Sequence, residues 1–290
     1  MSGEQIIRAR PKVNLYLEIT RVREDGYHEL KTLFYPLPGP VDELSLSPGE
    51  QGSGFSLDCG EPELCAPSNL VWKAYDAFAA ATGFRPDVHC RLTKRIPSGA
   101  GLGGGSSDAA AMLLWLQKEA GAAALDEAAL VQLAVRLGAD VPFFLYGRPA
   151  WATGVGEDLT PSGAYLAGWS MVLVCPKTKV NTGFAFREWD RRFLETGEPG
   201  SAILTCGQKR DMDAFCPRLP PLRNSLEPAV FPVYPGLGRI KGALLSLGAA
   251  GAMMSGSGSS IFGLFRERSR AEFAARSLAS ARIDVRAHHF

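Results

Sequence analysis

The stretch RIPSGAGLGGGSSDAAAM, residues 95–112, crowds Gly99, Gly101, Gly103, Gly104 and Gly105 together with three serines ahead of an Asp and a run of alanines. A backbone that wraps an anion needs residues that take positive φ and carry no Cβ, so that successive N–H groups converge. The letters that follow predict a helix. Ser106 or Ser107 offers an N-cap, the alanine-rich interior has strong propensity, and Gly121 supplies the stop. The unpaired N–H groups and dipole at that helix start point toward the glycines, which makes a phosphate group the natural occupant. A plainer reading is a turn that lets a helix pack closely on a strand. No GxxxxGK[ST] occurs, which excludes the P-loop class. A literal GxGxxG at Gly99, Gly101 and Gly104 follows the charged, proline-ended approach CRLTKRIPS, deep in the chain, where a dinucleotide fold wants its first buried strand.

The 290 residues suit one large domain or two of ordinary size, and two is the working division. With 46% hydrophobic and 21% charged residues the balance is that of a globular protein with a sizeable core. Thirty-one basic residues against thirty acidic give a net charge of +1, so no global field draws the chain to nucleic acid or an anionic membrane. Any phosphate site is therefore local. Cys59, Cys65, Cys90, Cys175, Cys206 and Cys216 show no CxxC pair and no metal-ligand spacing with His28, His89, His288 or His289, and are read as reduced thiols. The N-terminus MSGEQIIRARPKVNL has neither a signal-peptide apolar region nor transit-peptide composition, which predicts a cytosolic location. Residues 242–265 are uncharged over a length that would span a bilayer, but SGSGSS in the middle predicts two buried elements around a turn.

Working outward, VNLYLEI alternates with Val13, Leu15, Leu17 and Ile19 on one face, and Lys12 falls in the row of Asn14. Strand-like runs follow near 30–37, 42–47 and 87–94, with a helix in SNLVWKAYDAFAAATG between the last two. LDEAALVQLAVRLG predicts a helix ending at Gly138, which leaves Asp140 just past its end, where Pro142 blocks continuation. Gly, Pro and Ser collect over 156–168 and set the division into 1–160 and 161–290. The second half opens with a strand SMVLVC, passes a loop-rich 190–222, and ends with a helix near 236–247, the SGSGSS turn with its strand, a helix near 268–281 and a strand DVRAHHF.

Pro97, Gly101, Leu102 and the Gly/Ser run match the form P-x-x-x-G-L-[GS]-[GS]-S-[AS]-A, and the stretch resembles the phosphate loop of the GHMP kinases. RARPKVNLYLEI is similar to that family's N-terminal strand motif and GAAGAMMSGSGSSIFGLF to its third, glycine-rich motif. The resemblance implies an α+β, two-domain fold. A ribosomal-protein-S5-domain-2-like domain would precede a ferredoxin-like α/β domain, with the active site in the cleft between them. Within the superfamily, PKVNLYLEITRVREDGYHEL, LGADVPFF and RNSLEP resemble the 4-diphosphocytidyl-2-C-methyl-D-erythritol kinases, bacterial cytosolic enzymes of non-mevalonate isoprenoid synthesis that phosphorylate the 2-hydroxyl of their substrate.

That resemblance implies ATP and Mg2+, a small-molecule substrate (CDP-methylerythritol), no nucleic-acid or membrane partner, and a monomer or weak homodimer. Lys12 and Asp140 match the catalytic pair. Lys94 matches a position at the adenine, with a solvated strand-end lysine as the plain alternative. Pro97, Gly99, Gly101, Leu102, Gly103, Gly104 and Gly105 form the nucleotide loop, and Ser106 and Ser107 are candidate phosphate and Mg2+ contacts. Asn14 faces the methylerythritol hydroxyls. Tyr27 and Phe186 stack on cytosine, with Phe184 as the alternative register, and His28 reads the base edge. ARPKVN stands where APAKIN is usual, leaving Lys12 in place. The competing readings are a mevalonate- or homoserine-type alcohol kinase on the same scaffold and a non-catalytic nucleotide-binding protein.

Overall fold

The computed structural model describes residues 3–196, 222–280 and 283–290. The backbone falls into two compact units that alternate along the chain, Met1–Lys12, Pro36–Ser98 and Gly103–Arg148 forming the first, and Val13–Tyr35, Gly99–Leu102 and Pro149–Phe290 the second. Residues 13–35 thus group with residues 149–290.

In the first unit a four-stranded sheet has the order β1 (Gln5–Ala9), β4 (Asp42–Pro48), β6 (Val88–Thr93), β5 (Phe55–Cys59). Its pairs are antiparallel except β5 with β6. Leu44 and Leu46 of β4 lie opposite Leu92 and Cys90 of β6, so their apolar side chains share one face. Two helices pack on it, α1 (Leu70–Thr82) and α2 (Gly104–Glu119), and α3 (Glu127–Leu137) and α4 (Val141–Tyr146) pack against those helices. The α1 helix begins where predicted, because the Asn69 side chain accepts from Val71 N, and it stops at Gly83 in a left-handed conformation. Asp126 caps α3 by accepting from Ala129 N at 2.8 Å.

Two expectations change. The α2 helix starts at Gly104 with Gly103 as its cap, φ +71°, and no side chain caps it. A left-handed residue is required there, and only the glycine supplies it without strain. Pro142 opens a new helix where it was expected only to end one, since a proline at the first helical turn has no N–H to lose.

In the second unit one sheet has the order β10 (Arg223–Asn224), β2 (Lys12–Val22), β3 (His28–Pro36), β7 (Ala150–Thr153), β8 (Asp158–Pro161). The other is antiparallel, β11 (Gly251–Met254), β12 (Ile261–Phe265), β9 (Ser170–Pro176), β13 (Ile283–His289). Four helices belong with them: α5 (Thr182–Thr196), α6 (Glu227–Val233), α7 (Pro235–Ser246) and α8 (Arg268–Leu278). Residues 251–265 form a hairpin, as the SGSGSS turn predicts, and no helix among the described residues is long and apolar enough to cross a membrane. The expected loop over 190–222 is helical through residue 196 in α5, and 197–221 lie outside the described residues.

Along β2 the predicted apolar row is buried, but so are Lys12 and Asn14 on the opposite row, at 3% and 2% exposure. Alternation marked them as a polar face; both are buried among polar partners instead. In α2, Leu113 is fully buried while its neighbour Leu114 is 46% exposed. Leu113→Ala is therefore expected to cost about 2–5 kcal/mol in urea unfolding, and Leu114→Ala within about 0.5 kcal/mol of wild type. Equal effects would contradict the helix register.

Candidate active site

The glycine loop of the second unit is built around one close approach. Gly99 and Gly101 take φ +68° and +75°. A Cβ on Gly101 would stand 2.0 Å from the Ser255 carbonyl oxygen, so backbone occupies the space any side chain needs. The buried Ser255 hydroxyl donates to Gly101 O at 2.9 Å and accepts from Asn14 N at 3.2 Å. Ser260 N donates to Ala100 O at 3.1 Å. One side chain holds the other end of this turn, since Asn224 Nδ2 donates to Met254 O at 2.8 Å and to Gly256 O at 2.7 Å. Glu227 Oε1 accepts from Met254 N at 2.8 Å, and its Oε2 meets Lys241 at 2.5 Å. Burial raises the Glu227 carboxyl against the pull of Lys241. Asn224, Glu227 and Ser255 were not singled out from the sequence. The letters RNSLEP and SGSGSS carry them, but their partners are remote in the chain.

In the first unit the start of α2 adjoins a buried ion pair. Lys12 Nζ stands 3.3 Å from Asp140 Oδ2, with the lysine side chain 4% exposed and the aspartate 31%. A Cβ on Gly103 would meet the Phe144 ring at 2.8 Å and Lys12 Cε at 3.2 Å, so the glycine leaves room for the lysine stem. Asp140 occupies the cap position of α4, yet its carboxylate makes no capping bond. The side chain is instead turned to Lys12. Ser107 Oγ donates to Arg10 O at 2.7 Å and is buried, whereas Ser106 is half-buried.

Lys94 is not a solvated lysine. Its Nζ pairs with Asp42 Oδ2 and, at 2.6 Å, with Asp108 Oδ2, committing two of its three donors. Asp42 Oδ1 accepts from the backbone N–H of Arg95 and, at 2.7 Å, of Ile96, which anchors the approach to the loop. Burial would lower the Lys94 ammonium, but the two carboxylates outweigh it and raise it. One cation faces two carboxylates. Burial pushes Asp108 up to about 7, with Lys94 opposing, and its Oδ1 has no hydrogen-bond partner.

The GYH element of the second unit meets α5. His28 Nε2 lies 2.7 Å from Asp190 Oδ1, its ring 4.8 Å from that of Phe186 and 5.7 Å from that of Trp189. Phe184 packs instead against Tyr234, ring centroids 5.9 Å apart, so Phe186 is the aromatic beside His28. Tyr27 is 63% exposed, its ring available for stacking. Asn14 Nδ2 donates to Thr32 Oγ1 at 2.7 Å, a buried polar pairing that also fixes the amide's orientation. Pro97 is half-buried and Leu102 buried, while Gly105 is exposed at the first turn of α2. Among the described residues no group of three or more His, Cys, Asp or Glu is arranged to hold a metal.

The family model for the GHMP kinases N terminal domain matches residues 69–148, from the α1 cap to the last residue of the first unit, and that for the GHMP kinases C terminal matches 208–284. The chain belongs to the GHMP kinase family. It is 48% identical over 278 residues to a 4-diphosphocytidyl-2-C-methyl-D-erythritol kinase of Solidesulfovibrio magneticus, covering 96% of this chain and 94% of that one. The same name is carried by a Geobacter sulfurreducens relative, 37% identical with 94% of each chain covered. A crystal structure of 4-(cytidine 5'-diphospho)-2C-methyl-D-erythritol kinase superposes with a TM-score of 0.76 at 38% identity, covering 97% of both chains. The mevalonate kinase of Methanococcus jannaschii shares the fold at a TM-score of 0.65 and 14% identity, covering 100% of this chain and 99% of that one.

The buried carboxylate of this GHMP kinase gives its stability a pH signature. Asp108 titrates near 3.8 in an ordinary setting and near 7 here, so between those values the folded state holds the proton more tightly. The stabilisation is present below pH 4 and is lost as pH rises toward 7, with a slope of up to about 1.4 kcal/mol per pH unit. Urea unfolding across pH 4–8 is expected to show wild type losing stability relative to Asp108→Asn over that window. Parallel curves would remove the assignment.

Proposed function

We infer that this chain is an ATP-dependent kinase that transfers the γ-phosphoryl group to the 2-hydroxyl of 4-diphosphocytidyl-2-C-methyl-D-erythritol. The observation that carries the reading is Asp140, a carboxylate at a helix start that forgoes capping and stands 3.3 Å from buried Lys12. A protein that only binds nucleotide has no use for that pair. The substrate follows from the names of relatives at 37–48% identity and from an aromatic and imidazole cluster suited to a base.

Phosphoryl transfer asks for positioning and for positive charge around the moving group, with little covalent work by the protein. The N–H groups of the first turn of α2 lack intrahelical partners and, with the positive end of the helix dipole, supply donors for phosphate oxygens. Asp140 orients the acceptor hydroxyl and takes its proton as the new P–O bond forms. The Lys12 ammonium, 3.3 Å from Asp140, stabilises the developing alkoxide. A positioned base of this kind is worth roughly 10²–10⁴-fold in rate. Bound Mg2+ would supply positive charge against the phosphates, and the Ser106 hydroxyl would suit it as a hard oxygen donor. Ser107, which already donates to Arg10 O, serves this less well. An alternative acceptor such as mevalonate or homoserine offers nothing for the His28 cluster to bind.

On the cytidine side we assign Asp190 a positioning role. Its carboxylate accepts from His28 Nε2–H, which leaves Nδ1 as an acceptor suited to the cytosine amino group. Tyr27 and Phe186 supply the stacking faces, and Asn14 remains the candidate for the methylerythritol hydroxyls.

An ADP-release assay with Mg-ATP is expected to give turnover with the cytidine-bearing substrate and none with methylerythritol 4-phosphate, mevalonate or homoserine. Asp140→Asn should lower kcat by about 10²–10⁴-fold with little change in either KM. A kcat within a few-fold of wild type would remove Asp140 from the chemistry. In the same assay Asp190→Ala should raise KM for the cytidine substrate about tenfold, the loss of one charge-assisted hydrogen bond, while KM for ATP holds. A rise confined to KM for ATP would contradict the assignment.

A further inference from the structure

Residues 59–65, CGEPELC, join the last residue of β5 to a 3-10 turn, Pro62–Cys65, that runs toward α1. Their two thiols face each other, with the Sγ atoms of Cys59 and Cys65 3.6 Å apart. The turn folds its donors inward. Cys59 Sγ donates to Glu61 O at 2.9 Å, and Cys65 Sγ reaches Cys59 O and Glu61 O at 3.6 and 3.7 Å. Both cysteines are half-buried and so within reach of solutes, whereas Cys90 and Cys175 are buried.

We propose that Cys59 and Cys65 form a reversible disulfide, a modification site for low-molecular-weight disulfides. A disulfide bond is about 2.05 Å long, so the sulfurs need to close only by about 1.5 Å. Rotation of the two side chains is the first source of that movement. The backbone between them also has slack, because Gly60 has open space on its Cβ side and Glu61 is in an extended conformation. The exchange balances without any other reactant. One protein thiolate attacks a disulfide R–S–S–R, forming a mixed disulfide and releasing RS⁻. The second thiolate then attacks the protein sulfur of that mixed disulfide and releases another RS⁻. The protein loses two electrons and two thiol protons, and the small disulfide is reduced to two thiols.

Closing this ring acts where the turn meets the helix. Asn69, which caps α1 through Val71 N, also donates from Nδ2 to Leu64 O at 2.6 Å, inside the prospective ring. Oxidation thus fixes the segment that positions the α1 start. The inference is independent of the kinase reading, since it rests only on the two sulfurs and their turn.

The test uses the full chain with Cys206 and Cys216 replaced by Ser, treated with oxidised glutathione at pH 8. The sample is quenched with N-ethylmaleimide under denaturing conditions and its intact mass is measured. The expected product has lost two alkylatable thiols, carries no glutathione, yields a cross-linked peptide spanning 59–65, and reverts with dithiothreitol. Adding Cys59→Ser should instead trap glutathione on Cys65. Persistent glutathione on the chain with both Cys59 and Cys65, or full alkylation of both, would overturn the proposal. Peptide mapping of the unsubstituted chain reads the same link if the double replacement fails to fold.

Discussion

Gly101 runs so close to Ser255 that a single methyl group on its Cα would lie 2.0 Å from a carbonyl oxygen. Two glycine-rich stretches separated by about half the chain are therefore one object, each shaped by the other's backbone. Ser255 ties this object to the β2 strand by accepting from Asn14 N while donating to Gly101 O. Asn224 and Glu227 hold it from the far side through Met254 and Gly256. Each of these buried bonds contributes only about 0.5–1.5 kcal/mol net, but leaving one of their acceptors unmet costs roughly 1–3 kcal/mol. The penalty for misplacement, more than the gain from bonding, keeps the loop in one conformation. In the proposed function, a loop held this way has little reorganisation left to do on binding phosphate, which is the condition for electrostatic stabilisation of a transition state.

The charges are organised on the same economy. Lys12 is removed from water beside the carboxylate of Asp140, which is itself a third exposed. Lys94 is given two, both buried, and the second leaves Asp108 with an unpartnered oxygen. The first arrangement leaves a carboxylate accessible to solvent. The second is sealed and structural in form, fastening β4, the approach to the loop and α2 to one another. Lys12 at the start of β2 and Lys94 just past β6 thus sit in different surroundings, the first beside a partly exposed carboxylate and the second between two buried ones.

What was legible in the sequence was local or periodic. Asn69 and Gly83 bracket α1 as their letters say, and the alternation in β2 names its apolar row correctly. What was not legible depends on partners remote in the chain. Nothing near Lys94 announces Asp42, and nothing near Asn224 announces Gly256. The burial of Lys12 and Asn14 is invisible to alternation, which cannot tell a solvated face from one buried among polar partners. The α2 cap was misread because serine preference is a statement about average helices, whereas this one begins from a left-handed residue. In α5 the four-residue spacing of Ala185, Trp189 and Phe193 carried a helical signal, with the two rings stacked 5.2 Å apart. The charged residues interleaved with it hid the stripe.

We propose that the contact between Gly101 and Ser255 shapes the site where the nucleotide binds. Isothermal titration of a non-hydrolysable ATP analogue into wild type and Gly101→Ala, each checked for folding by circular dichroism, tests it directly. The folded variant is expected to lose at least tenfold in analogue affinity, because the alanine both displaces the Ser255 backbone and disfavours φ +75°. A folded Gly101→Ala protein that binds the analogue as tightly as wild type would contradict it.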